Sequence, residues 1–354
     1  MKKKRTKPWF QWFVGLLVVA CLVIAADALL NKTSNRSLAE SYERMVRELA
    51  QAFHADGEKG NPPYWRDHRL AHHPILLMNK DTHDTYLINP RETFVLFFAK
   101  KIERESEALD IYRISRLYPG LWKLKLFGGN FNTIGNVTTV MNNPVYYLKY
   151  RGADFKKPYS SQYPPIYLYH ESFHYFMQTR WAGGDRFFGE LSEKGMDLLH
   201  EKCQLLDEAK AILDAPEERR DECLALARKL LDLEKARLAE NPAYVTAERQ
   251  METVEGTATY MGIRAARAVG YDFGTMYFDN RKNVPFSDVV PYYKDGKLSE
   301  GFLRDRLPYE TGAQIALILH ALDKEGRWQI YLNEQREENP RTLTDALEYT
   351  VKGQ

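Results

Sequence analysis

The order of apolar and polar residues divides this chain into stretches of different period. From Phe13 to Ala26 it is apolar without a break, Trp9, Phe10 and Trp12 extend the run upstream, and Ala28, Leu29 and Leu30 carry it past Asp27. About twenty such residues can cross a bilayer as one helix. From about Ser37 to Phe53 the period becomes helical, with Leu38, Tyr42, Met45, Val46, Leu49 and Phe53 on one stripe. Residues 54–73, rich in Gly, Pro, Asp and His, read as a loop. Two apolar runs, 74–78 and 85–88, flank the polar turn 79–84, which predicts a β-hairpin. Residues 91–109 read as helical. Residues 121–150 read as strand-rich, with turns at Gly128-Gly129-Asn130 and Gly135-Asn136 and a late strand from Val145 to Tyr150.

Beyond that point helical patterns dominate. Pro164-Pro165 opens a helix and Ala182-Gly183-Gly184 closes it. Residues 191–238 form two helical segments broken near Asp214-Ala215-Pro216, hence an antiparallel helical hairpin. A further helix begins near Ala247, a loop-rich interval spans 271–298, and an apolar helix runs from Ala313 to Leu322. The fold class expected is α+β, with a small antiparallel or mixed sheet before the helix at 164 and a mostly helical remainder. The expected units are an N-terminal anchor (1–30), an α+β unit (31–163), and a helical unit (164–354) that carries the hairpin as an insertion at 191–240.

Charge adds location. The 354 residues carry a net charge of only +2, so nothing points to nucleic acid. The basic residues Lys2, Lys3, Lys4, Arg5 and Lys7 stand directly before the apolar run, the order of a signal peptide or membrane anchor. Ala26-Asp27-Ala28 is an acceptable cleavage site, and Val18-Val19-Ala20-Cys21 resembles a lipobox. Leu22-Val23-Ile24 continues the apolar run where a released lipoprotein turns polar, which favours an uncleaved anchor. The basic end then stays in the cytoplasm and everything after about residue 30 lies outside. Cys203 and Cys223, an even pair flanking the hairpin break in such a compartment, are expected to form a disulfide, the alternative being two ordinary helix-face cysteines.

The chemistry concentrates at His170-Glu171-Ser172-Phe173-His174. Helical residues four apart share a face, so both imidazoles can reach one metal ion while Glu171 projects beside them toward a water. Ile166, Phe173, Phe176 and Met177 supply apolar contacts around them. A catalytic zinc takes three protein ligands and leaves the fourth position to water. No H-x-x-G-x-x-H extension follows His174, so the third ligand comes from elsewhere in the chain, with Glu248, Glu252 and Glu255 as the carboxylates at issue. His68, His72 and His73 have no regular ligand spacing and read as solvated loop histidines.

Val254-Glu255-Gly256-Thr257-Ala258 resembles the E-G-x-A segment of gluzincin metallopeptidases, the clan that includes aminopeptidase N, and Leu307-Pro308-Tyr309-Glu310-Thr311-Gly312 resembles its P-Y-x-x-G segment. The resemblance covers about 140–325. It implies Zn2+ held by His170, His174 and Glu255, Glu171 as general base, and the Tyr309 hydroxyl reaching the tetrahedral intermediate. It also implies that Gly256 and Ala258 let the two active-site helices approach, and that an edge strand ahead of the histidine helix pairs with a peptide or protein substrate. Two departures matter: the hairpin lengthens the gap between His174 and Glu255, and Val140-Met141-Asn142-Asn143 lacks the glycine and glutamate of the aminopeptidase G-x-M-E-N segment. The expectation is therefore a membrane-anchored extracytoplasmic zinc endopeptidase. Its alternative is a membrane-tethered binding or assembly protein with a structural zinc.

Overall fold

The computed structural model describes residues 8–34, 38–57, 60–92, 96–103, 109–184, 189–215, 217–278 and 280–354. They form eleven α-helices and one six-stranded mixed sheet. The chain divides into two compact units, Met1–Ala50 with Ala71–Phe155, and Gln51–Leu70 with Lys156–Gln354.

The first unit begins with α1 (Pro8–Thr33), a helix long and apolar enough to cross a membrane and mostly exposed along that length. Its last turns are polar on the side that meets the sheet. The Asn31 side-chain amide donates to the Arg113 carbonyl at 3.1 Å, and Arg113 donates back to the Asn31 side chain and carbonyl at 2.8 and 2.9 Å. The strands are β1 (Ile75–Asn79), β2 (Thr85–Ile88), β3 (Ala99–Lys101), β4 (Ile111–Ile114), β5 (Thr138–Val140) and β6 (Asn143–Tyr150), in the order β3-β4-β2-β1-β6-β5. β1 and β2 form the expected hairpin, with Ile75 opposite Ile88, and β1 pairs parallel to β6. Strands β1 and β2 are buried on both faces, which is why they read as continuous apolar runs rather than alternating ones. One face carries Leu76, Met78, Leu87 and Tyr147, and on the other Tyr86 stacks on Tyr42 of α2 (Glu40–Ala55) at 3.5 Å.

Two expectations for this unit change. In place of a helix over 91–109, residues 96–98 form a single tight turn and 99–101 form β3, which pairs with β4; residues 93–95 and 104–108 lie outside the described set. The stretch 121–150 also contains a short helix, α3 (Trp122–Phe127). The Val140–Asn143 segment is a two-residue hairpin turn with Met141 and Asn142 at φ 51° and 64°.

The second unit is helical: α4 (Pro164–Met177), α5 (Glu193–Leu213), α6 (Arg220–Glu240), α7 (Pro242–Val269), α8 (Val289–Lys294), α9 (Leu307–Leu322), α10 (Arg327–Asn333) and α11 (Leu343–Lys352). α7 starts at Pro242, before Ala247, because proline at the first helical position lacks only an N–H that would be unpaired there. It ends at Gly270, whose φ of 69° closes the helix in the left-handed region. Pro308 and Tyr309 lie in the first turn of α9 rather than on a loop leading to it, because a π-helical turn at 302–306 runs straight into that helix.

Cys203 and Cys223 are both buried and unbonded. Cys203 stands ten residues before the end of α5 (213 − 203), whereas Cys223 is three residues into α6 (223 − 220). At about 1.5 Å per residue those positions are roughly 10 Å out of level. A disulfide spans about 7 Å between Cα atoms at most.

Candidate metal centre

The register of α4 is set by its apolar stripe. Tyr169 and Phe173 are buried, Phe173 edge-on to Trp65 at 4.7 Å between rings and Tyr169 against Phe53 and Tyr64. The Tyr169 hydroxyl donates to Asp56 at 3.3 Å. Burial raises the Asp56 pKa to about 6, against the pull of the Tyr64 backbone N–H and the Tyr169 hydroxyl. Each histidine follows one residue after a stripe member, so packing of the stripe turns both imidazoles toward α7.

There they meet Glu255. The Nε2 atoms of His170 and His174 are 3.2 Å apart, and Glu255 Oε2 lies 3.6 Å from the first and 3.2 Å from the second. A tetrahedral ion with bonds of about 2.0–2.1 Å places its ligand atoms about 3.3–3.4 Å from one another. Two imidazole nitrogens and one carboxylate oxygen at those edges fit a divalent metal in both chemistry and size, and these three residues are the one such group of His, Cys, Asp or Glu among the described residues.

Gln178, four residues beyond His174 and buried, completes the arrangement. Its amide nitrogen donates to the Val254 carbonyl at 2.8 Å and the Thr257 hydroxyl at 2.9 Å. A carbonyl can only accept, so the amide oxygen must face His174 Nδ1, 2.5 Å away, and that nitrogen carries the proton. The Nε2 lone pair of His174 is thereby left for a metal.

The electrostatics are those of a carboxylate held between two imidazoles. Burial opposes charge on Glu255, but its hydrogen bonds with His170 and His174 outweigh burial and hold the carboxyl well below its usual range. Burial also opposes charge on His174, and Glu255 and Gln178 overcome it, so its pKa is raised. The Glu171 pKa is raised, chiefly by burial, with the two histidines pulling the other way. The Tyr309 ring lies parallel to His170, 6.0 Å between centroids and 3° between planes, and the Arg306 guanidinium lies over the Tyr309 ring, 5.7 Å from its centroid.

Glu248 and Glu252 are not surface acids. Both are buried in a cluster of three cations and three carboxylates: Lys202 meets Glu252, Glu234 and Glu248 at 2.6, 3.0 and 3.4 Å, Arg237 meets Glu248 and Glu234 at 2.6 and 2.8 Å, and Arg249 meets Glu234 at 3.0 Å. Thr311 of α9 donates to Glu252 at 2.5 Å. This cluster ties the α5–α6 hairpin to α7, while Glu255, one turn on, faces α4.

Gly256 does not face α4. A Cβ there would lie 2.5 Å from Gly312 of α9, and the close approach of α7 to α4 occurs instead at Gly262, against Ile166. His68 is buried against Phe173 and Phe176 rather than solvated. Among residues not anticipated, Gln178 had a legible signal, since its spacing from His174 equals that between the two histidines. Lys202 and Arg237 had none, because their sequence surroundings match those of solvated charges.

No family model matches this chain, and neither a curated protein nor a solved structure matches it.

Proposed function

We propose that this protein is a membrane-anchored zinc metallopeptidase of gluzincin type, with its catalytic unit outside the cytoplasm. The observation that carries the reading is the triangle of His170 Nε2, His174 Nε2 and Glu255 Oε2, whose edges of 3.2 to 3.6 Å match a tetrahedral ion. Zinc bound there supplies Lewis acidity and brings the pKa of a water toward neutrality.

The remaining roles belong to the chain. Gln178 holds His174 in the ligating tautomer. Glu171, half-buried beside both histidines with a raised pKa, takes the proton of the attacking water and returns it to the leaving amine. Tyr309, parallel to His170, donates its hydroxyl to the oxyanion as the carbonyl carbon becomes tetrahedral. Val140-Met141-Asn142-Asn143 lacks the glutamate with which the aminopeptidase G-x-M-E-N segment holds a free amine, which favours internal peptide bonds over terminal ones. α1 serves as the anchor.

The test is metal analysis of the full chain together with digestion of a peptide library. Stoichiometric zinc with cleavage is expected, and Glu171→Gln should keep the zinc and lose cleavage. Zinc without cleavage of any library member, or parental turnover in Glu171→Gln, removes the peptidase reading.

A further inference from the structure

Short helix α3 is apolar on its outer side. Trp122, Leu126 and Phe127 share an arc with Lys123, while Leu124 alone turns into the core. Leu126 is 73% exposed and Phe127 82% exposed. Ile134 and Val137, in the segment that follows, are exposed as well. Large apolar side chains gathered on one helix face mark an interaction surface rather than ordinary solvent contact.

Hydrogen bonds place this face beside the end of α1. Asp27, the first charged residue after the apolar run of α1, accepts a hydrogen bond from the Ser115 hydroxyl and another from the Leu117 backbone N–H at 3.0 Å. Lys125 of α3 donates to the Arg116 carbonyl at 2.9 Å. The end of the apolar run and α3 are thus fastened to the same three residues, 115–117. Beside α3 lies a pocket lined by Lys80, Lys125 and Lys149. Lys149 donates to the carbonyls of Leu124 and Gly128 and Lys80 to Asn130, while the pocket's Asp84 is engaged by Arg116. These ammonium groups hold backbone and amide oxygens rather than carboxylates, so no bonded carboxylate cancels their charge beside an anionic surface, although burial lowers the pKa of Lys125 and Lys149.

We infer that α3 lies in the outer interface of the membrane that α1 spans, Trp122, Leu126 and Phe127 inserted among the acyl chains and the lysines at the level of the lipid phosphates. An aromatic and apolar face bordered by lysines is the composition of an interfacial helix. The inference rests on the reading of α1 as a spanning helix. Its consequence is that the first unit is held against the bilayer at two points, so that its orientation, and not only its tether, is set by the lipid.

The test uses the full chain in liposomes of phosphatidylcholine with phosphatidylglycerol, in a Cys21→Ser background where the two remaining cysteines are buried. A nitroxide is placed at Leu126→Cys, with Phe127→Cys as the second variant and Val18→Cys as the report on α1. Collisions with oxygen and with a water-soluble nickel chelate are then measured by electron paramagnetic resonance. The expected result is a nitroxide at 126 or 127 that gains oxygen collisions and loses those with the chelate, and a deep nitroxide at 18. A deep nitroxide at 18 with a chelate-accessible one at 126 and 127 overturns the inference while leaving the spanning helix intact. Spin–spin broadening at 126 that vanishes on dilution with unlabelled protein identifies a second copy as the occupant and overturns it too. Aqueous nitroxides at all three positions overturn both.

Discussion

Gly256 of α7 and Gly312 of α9 meet backbone to backbone: a Cβ on Gly256 would fall 2.5 Å from Gly312, and a Cβ on Gly312 would fall 2.2 Å from the Glu252 carbonyl oxygen. Neither glycine is needed for an unusual φ. Their job is to let two helices touch, and the contact sits between Glu255, which precedes Gly256, and Tyr309, one turn before Gly312. The glycines in the two recognisable segments are therefore explained by one crossing.

Gly312→Ala should force α9 away from α7, because the clash is with backbone and no side chain can swing aside. Overpacking of this kind costs about 1–3 kcal/mol, and the displaced pair should also lose metal affinity. Urea denaturation and a chelator competition measure the two effects. An alanine variant with parental midpoint and affinity would show that the helices have room to spare.

Gln178→Leu removes the acceptor that holds the proton on His174 Nδ1, with little change in volume. Metal affinity should fall roughly 10- to 100-fold, as for other partners of ligating histidines, and Gln178→Glu should restore much of it by accepting the same proton. Recovery in the glutamate variant separates orientation of His174 from simple packing, which glutamate would disturb as much as leucine does.

Tyr309→Phe should leave metal content and KM near parental and cut kcat by about a hundredfold or more, the usual loss when one oxyanion donor is deleted. The phenylalanine ring keeps the parallel contact with His170, so stability should hold. Full activity in this variant would assign Tyr309 to packing against Val245 and Met251.

His320 makes the second unit sensitive to acid. Burial, with Arg264, Arg267 and Lys324 nearby and only Asp323 opposing them, lowers its pKa to about 4; Arg264 lies 3.2 Å from its Nε2. In the unfolded chain it titrates near 6.5. Between those values the unfolded chain takes up a proton that the folded one refuses, so stability is complete above about pH 6.5 and falls as pH drops toward 4, by about 2–3 kcal/mol from this group. His320→Phe should flatten the difference between urea midpoints at pH 7 and pH 5. Identical pH dependence in parent and variant would assign the acid sensitivity elsewhere.

What the sequence determined by itself is what local spacing determines. The apolar run of α1, the β1–β2 hairpin and the shared face of His170 and His174 follow from the order of residues within a few turns, and all three stand in the structure. The approach of Glu255 to those histidines was legible only because a neighbouring glycine marked it, since 81 residues separate it from His174 (255 − 174). Other features had no local signature. Glu217–Glu222 is an exposed charge run, whereas Glu234, Glu248 and Glu252 are buried, and the two groups have the same side-chain chemistry among similarly charged neighbours. Burial of a carboxylate is tolerable only where cations arrive from other helices, and Lys202 and Arg237 arrive by way of the hairpin. The cysteines follow the same rule. Their flanking of the hairpin break favoured a bond, but the level at which each stands along its helix is set by where α5 ends and α6 begins, and only the packed pair of helices decides that.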